Sequence, residues 1–124
     1  MSAPPEGIAP AALLLLQPHL TTAAPDGYVV DLHRRYDAVI GDEYVTVRLY
    51  PRDVDPDGFD FGKPGGIAYI TWQDGRGYRL HVWTTIVAYT FQQAGHVVTF
   101  PDPVTVAATA AWVLRAEIEG QRRG

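Results

Sequence analysis

The sequence predicts an α+β domain with a mostly antiparallel sheet of three to five strands, an N-terminal helix or helices and a C-terminal helix packed on one face. Two observations predict this class. Two alternating apolar and polar runs flank a turn of Asp and Gly at residues 73–77, as in a β-hairpin. Pro-Asp-Pro at residues 101–103 then opens an Ala- and Val-rich segment with helical periodicity.

Length and composition indicate one folded domain and exclude several functions. The chain has 124 residues, of which 47% are hydrophobic and 19% charged, as in average soluble domains. A net charge of −4 argues against binding to nucleic acid or to acidic membrane surfaces. Cysteine is absent and Ser2 is the only serine, which excludes thiolate metal sites and Cys or Ser nucleophiles. We expect an N-terminal extension with a Leu-rich helix (residues 1–25), a single α+β domain (26–120) and a tail (121–124).

The N-terminal segment, residues 9–20, favours a helix that Pro18 would end or kink. Its four consecutive leucines, residues 13–16, cover every side of such a helix, so it must be buried on the domain or against a partner chain. The run is too short to span a bilayer, and no basic residue precedes it as in a secretory signal. We therefore expect a cytoplasmic protein.

Residues 28–40 are open to two interpretations. Their apolar positions fit a helical stripe, with Asp26 as a cap at the start and Gly41 at the end. Tyr and Val also favour strands, and residues 41–42 could turn a hairpin into the next run. We favour the helix. Asp31 and His33 share a face only in the strand alternative.

The remaining elements follow in order. Residues 44–50 alternate as a strand, 52–66 form a long acidic loop, and 86–91 and 96–100 are further strands after the hairpin. Asp102 is a natural cap and Pro103 a natural first residue for the last helix, which Gly120 ends. We expect this helix to bury five residues against the sheet side chains Tyr69, Leu80 and Val82, namely Val104, Ala108, Ala111, Trp112 and Ile118.

The length of the hairpin turn decides which side chains share a face of the sheet. If residues 75–76 form a two-residue turn, Ile67, Tyr69, Leu80 and Val82 face the core. The opposite face then gathers the residue types that dominate binding hot spots, with a histidine between two indoles: Trp72, Arg79, His81 and Trp83. In the alternative, this face packs under the N-terminal helix and His81 is structural.

These residues suggest two classes of function, neither of which needs a cofactor. The leading hypothesis is a small non-enzymatic interaction or regulatory module that binds a protein partner or self-associates as a homodimer. It would use the surface of Trp72, Arg79, His81 and Trp83, or the leucine-rich helix. The alternative is a pocket for a small apolar ligand, or a cofactor-independent cyclase or isomerase with His81 as its base.

The acidic loop contains half of a calcium-binding pattern. Asp53, Asp55 and Asp57 alternate before Gly58, as in the first half of an EF-hand loop. Pro64 occupies the position where a bidentate Glu belongs, so we expect a solvated acidic turn and treat calcium binding at the three aspartates as the weaker alternative.

Three segments carry a resemblance to a known family. Residues 67–80 place an apolar strand, a Trp-Gln-Asp-Gly turn and a second strand in succession, Pro-Asp-Pro opens the last helix, and Tyr28-Val29 precedes the sheet. This order resembles a family of small actinobacterial domains of unknown function. The resemblance spans residues 26–118 and implies the order of the elements, with a helix starting at Tyr28. It implies no activity and no catalytic residue.

Overall fold

The computed structural model describes residues 11–37, 42–56, 66–73, 75–84 and 88–123. It contains two helices and eight strands in these residues, in the order α1 (Ala11–Ala23), β1 (Tyr28–Asp37), β2 (Asp42–Pro51), β3 (Ile67–Gln73), β4 (Gly77–Trp83), β5 (Ala88–Thr90), β6 (Gln92–Gln93), β7 (His96–Val97), β8 (Thr99–Phe100) and α2 (Pro103–Arg123). The predicted α+β class, with an antiparallel sheet and a helix near each end of the chain, is confirmed.

Five strands of the main sheet lie side by side in sequence order, β1 to β5, and each pairs antiparallel with the next. The short strand β8 also pairs with β4, and β6 and β7 form a separate two-stranded ribbon. The helix predicted over residues 28–40 is wrong, since Tyr28–Asp37 pairs with β2 along its whole length. Pairing with the next strand along the chain has here overridden a helical spacing of apolar residues.

The β3–β4 hairpin turns through three residues, one more than predicted. Gln73 pairs with Gly77, and the Arg76 amide donates to the Gln73 carbonyl at 3.0 Å. Gly75 and Gly77 have φ values of 77° and 110°, a region that favours glycine. The extra loop residue shifts every pair in the hairpin by one, so that half of the predicted face assignments change.

Both helices pack on one face of the sheet and on each other. Six strand residues with zero exposed surface line this covered face, and they join leucines of α1 and the buried side of α2 in one core: Val47, Leu49, Ala68, Ile70, Leu80 and Val82. The Tyr78 hydroxyl donates to the Ala12 carbonyl at 2.6 Å and ties β4 to α1. Most of the hydrophobic core therefore lies on one side of the sheet, whereas Ile67, the partner of Trp83, is buried on the other.

Helix α1 continues through Pro18 to Ala23, so the helix does not end at that proline, which was one of the two predicted outcomes. Leu13, Leu16 and Leu20 have zero exposed surface and hold the helix on both sides of Pro18. Leu14 and Leu15 are 50% and 62% exposed, so the leucine run is only half covered. A helix with a buried i, i+3, i+7 stripe explains this division.

Helix α2 begins as predicted, because the Asp102 carboxylate accepts from the Thr105 amide at 2.8 Å. It runs past Gly120 to Arg123, beyond the predicted end. Its predicted buried stripe is wrong at Val104 and Trp112, which are 57% and 64% exposed, and Ala108 is exposed as well. The buried residues are Val106, Ala107, Ala110, Ala111, Val113 and Leu114. Almost every residue from 104 to 114 is small or apolar, so composition left the phase of the helix undetermined.

Candidate functional site

The face of the sheet opposite the helices, here called the open face, carries the side chains that alternate with the core residues. Its central row crosses five strands through consecutive pairs: Asp31, Arg48, Tyr69, His81 and Thr90. In the described part of the chain neither helix lies on this face, because both share a core with the alternate residues.

A charged pair occupies the β1–β2 side of the open face. The Asp31 carboxylate accepts from Nε of Arg48 at 2.9 Å, from its Nη2 at 2.7 Å and from the Tyr50 hydroxyl at 3.0 Å. Arg48 is only 6% exposed. Burial alone would raise the pKa of Asp31, but the hydrogen bonds from Arg48 and Tyr50 outweigh it and hold this pKa below its ordinary value. This pair is ionised and satisfied at neutral pH.

Two aromatic rings lie together toward one end of the β3–β4 hairpin. The ring centroids of Tyr69 and Trp83 are 5.4 Å apart with a tilt of 56°. Trp83 is 42% exposed, whereas its cross-strand neighbour Ile67 is 2% exposed. A large ring that is supported on one side and open on the other can bury further apolar area on binding.

His81 lies between two threonine hydroxyls on neighbouring strands. Its Nδ1 is 3.0 Å from the Thr90 hydroxyl and its Nε2 is 3.4 Å from the Thr71 hydroxyl. Burial and the nearby charge of Arg79 lower the pKa of His81. The imidazole is therefore neutral at pH 7, and both of its nitrogens have partners. This environment positions the ring.

Arg79 is a half-buried charged residue of the open face. Its Nε is buried without a hydrogen-bond partner, and so is Oγ1 of Thr46, among the residues that the structure describes. Thr71 lies between these two residues in the sheet. It pairs with Arg79 on β4, and the pairing of Val47 with Ile70 places Thr46 opposite it on β2. A buried polar atom without a partner costs about 1–3 kcal/mol. Such atoms are rare in native proteins and call for an explanation.

Three of the four residues predicted to form a recognition surface lie on one face of the sheet. Arg79, His81 and Trp83 share the open face, but Trp72 lies on the covered face opposite Tyr78, with ring centroids 4.8 Å apart. Tyr69, predicted to face the core, lies on the open face opposite His81. Both errors come from the three-residue turn, which reverses the side on which β3 residues emerge relative to β4.

The charged pair of Asp31 and Arg48 was absent from the predicted site. The strand alternative for residues 28–40 contained the needed signal, because it places Asp31 and His33 on one face, as the pairing of β1 shows. A strand whose polar residues alternate with Val30 and Leu32 is the pattern of a half-covered sheet.

The acidic turn after β2 shows its first two aspartates exposed, Asp53 and Asp55, while Asp57 lies outside the described residues. Within the described ranges, no three His, Asp or Glu side chains come close enough to hold a metal ion.

A separate groove of about 410 Å³ lies between α2 and the β5–β6 segment. Its walls are mainly aromatic and apolar, with Glu117 at one side, and they include Tyr89, Phe91, Trp112 and Val113. His81 does not line this groove, although its partner Thr90 does. Because the helical pattern of α2 predicted Trp112 in the core, this groove was not among the predicted sites.

Comparison of the chain with protein-family models, curated proteins and solved structures finds no match. The resemblance to a family of small actinobacterial domains therefore stays a prediction. No described helix is both long and apolar enough to cross a membrane. The geometry of the open face is consequently the main basis for a functional conclusion.

Proposed function

We propose that this protein is a non-enzymatic interaction module that docks a protein partner on the open face of its sheet. The observation that carries the proposal is that, among the described residues, the two helices cover only one face of the sheet. Both helices pack on one face, while the other face presents an aromatic pair, Tyr69 and Trp83, together with Arg79. Trp, Tyr and Arg are the residues most enriched among those that dominate protein–protein binding.

The face also has the rigidity that a docking surface needs. The side chains of Asp31, Arg48 and Tyr50 are fixed by mutual hydrogen bonds, and those of Thr71, His81 and Thr90 lie within a second hydrogen-bonded group. Side chains that are already ordered lose little conformational entropy when a partner binds. Trp83, at 42% exposure, supplies the apolar surface to be buried.

Site-specific photo-crosslinking in the source cell tests this function. The photoreactive residue p-benzoylphenylalanine replaces Trp83, Leu15 or Ala108 in turn; the first is on the open face and the others are exposed on α1 and α2. We expect one discrete adduct from the Trp83 position and none from Ala108. An adduct of twice the chain mass of 13.6 kDa would identify a second copy as the partner.

Adducts from Leu15 without any from Trp83 would assign docking to the leucine-rich helix and refute the open face as the docking surface. Equal adducts from all three positions would show non-specific contact. The discrete adduct must then be reconstituted from two purified proteins, with a binding affinity that Trp83→Ala weakens.

A second candidate function, the binding of a small apolar ligand, is favoured by the groove beside α2. Its volume of about 410 Å³ lies within the range of ligand pockets, and aromatic rings line it. The dye 8-anilinonaphthalene-1-sulfonate, as a test ligand, would bind with a Kd that Trp112→Ala raises and Trp83→Ala leaves unchanged. A Kd insensitive to Trp112→Ala would remove this candidate.

A further inference from the structure

We infer that the partner presents a carboxylate to Arg79, so that the open face recognises an acidic side chain placed about four strand residues away from an apolar one. This inference rests on the proposed docking function and names the chemistry of its partner. It starts from a row of the open face adjacent to the central one, which contains His33, Thr46, Thr71, Arg79 and Thr99.

The charge of this row is positive and uncompensated. Arg48 is neutralised by Asp31, and His81 carries no charge at neutral pH. The guanidinium of Arg79 has no carboxylate partner within the described residues, and the side chain as a whole is only half-buried, so that a partner can approach it. A carboxylate is the acceptor whose charge and two oxygens match the fork of donors on a guanidinium.

The neighbours of Arg79 favour an acceptor as well. Thr71 and Thr99 flank it on both adjacent strands, and their hydroxyls can donate to the same oxygen atoms. Thr46, with its unpartnered buried hydroxyl, lies beyond Thr71 in the same row. The row thus combines one fixed cation with several hydroxyl donors and no competing anion among its members.

The distance to the aromatic pair sets the spacing of the partner's groups. Arg79 and Trp83 are four residues apart on β4, or roughly 13 Å at about 3.3 Å per residue. An extended segment with an aromatic residue at its first position and an acid at its fifth spans the same distance. The side chain at the third position faces His81, where a hydroxyl group can join the threonines.

The experiment uses two capped peptides, Ac-Phe-Ser-Thr-Ser-Glu-NH2 and Ac-Phe-Ser-Thr-Ser-Gln-NH2, which differ only in the carboxylate. Binding to the full chain is followed by NMR, through the amide signals of Thr71 and Arg79 and the indole signal of Trp83. We expect the Glu peptide to bind about tenfold more tightly than the Gln peptide, as for a hydrogen-bonded charged group. The preference disappears in Arg79→Gln and falls with rising salt.

Two variants complete the design. Trp83→Ala is expected to weaken the binding of both peptides by the same factor and to leave the preference for the Glu peptide intact. Arg79→Gln must retain the wild-type spectrum outside the open face, since glutamine keeps a polar side chain at this half-buried position. Equal affinity for the two peptides, a preference retained in Arg79→Gln, or no binding of either peptide at millimolar concentration each overturns the carboxylate inference. The docking function is judged separately by the crosslinks from the Trp83 position, so the two failures are distinguishable.

Discussion

The two faces of the main sheet are built from the same strands but differ in the polarity and burial of their side chains. On β4, Leu80 and Val82 have zero exposed surface and pack under the helices, whereas Arg79 and His81 alternate with them on the open face. The covered face is apolar and supplies most of the hydrophobic stabilisation. The open face holds charges, hydroxyls and a half-exposed indole. Neighbouring residues of one strand therefore belong to different faces, and single substitutions can test each face alone.

The largest effect is expected on the covered face. Leu80→Ala removes a fully buried side chain from the centre of the core. We expect the free energy of unfolding to fall by about 2–5 kcal/mol, as for other buried leucines. Urea denaturation measures it. The control is Thr99→Ala, an exposed residue on the open face, which should change this free energy by no more than about 0.5 kcal/mol. Equal losses in the two variants would contradict the one-sided core.

The turn of the β3–β4 hairpin sets which residues share a face, and a substitution at Gly77 tests its geometry. A Cβ on Gly77, at φ 110°, would lie 2.5 Å from the carbonyl oxygen of Phe100. Gly77→Ala should cost about 2–4 kcal/mol, because a left-handed backbone and an overlap with the backbone of β8 add together. Thermal and urea unfolding measure the loss.

Gly75→Ala is the matched control for Gly77→Ala. Gly75 also has a positive φ, 77°, but a Cβ there has nothing within 4 Å. We expect Gly75→Ala to lower the free energy of unfolding by about 1–2 kcal/mol, from the backbone conformation alone. Similar losses in the two variants would show that the approach of β8 to the hairpin contributes nothing.

The next largest loss of stability is expected from breaking the charged pair of Asp31 and Arg48 on the open face. Asp31→Ala leaves the buried guanidinium of Arg48 without its carboxylate. We expect a loss of about 2 kcal/mol, below the 3–5 kcal/mol typical of fully buried pairs because Asp31 is partly exposed. The double variant Asp31→Ala/Arg48→Met removes the uncompensated charge and should recover part of this loss. A double variant less stable than Asp31→Ala would mean that Arg48 is held by other contacts.

The smallest effect expected on the open face is a dependence of stability on pH, through His81. Burial and the charge of Arg79 lower the pKa of His81 below its ordinary value of 6.5. The unfolded chain then binds the proton more readily, so this contribution to stability is complete above pH 6.5 and is lost as the pH falls through the folded pKa. The melting temperature should therefore drop between pH 7.5 and pH 5. His81→Gln should reduce that drop. A drop of equal size in the variant would place its origin elsewhere; Asp31, whose pKa is lowered from 3.8, acts only at more acidic pH.

Local signals predicted the class of this fold and the shared face of Arg79 and Trp83. The capping carboxylate of Asp102 was identified from sequence, because a cap is defined by a few neighbouring residues. Arg79 and Trp83 were placed on one face because they belong to the same strand and are four residues apart.

Features that depend on pairing between strands were predicted less well. One residue in the turn decided whether Trp72 or Tyr69 joined the open face, and the Gly-rich loop is compatible with both lengths. Tyr28–Asp37 is a strand only because β2 pairs with it, and its apolar residues also fit a helical stripe. The side of α2 that is buried was likewise ambiguous, since alanines and valines surround that helix.

The most direct measurement compares two exposed tryptophans that lie on different surfaces, with the partner identified by crosslinking at Trp83. Trp83 belongs to the open face, whereas Trp112 lines the groove beside α2. Isothermal titration calorimetry of the purified partner should show that Trp83→Ala weakens binding by about 2 kcal/mol or more, roughly 30-fold. Trp112→Ala should leave Kd within about twofold, as for a residue outside the contact. A large loss from Trp112→Ala with unchanged binding by Trp83→Ala would contradict recognition by the open face.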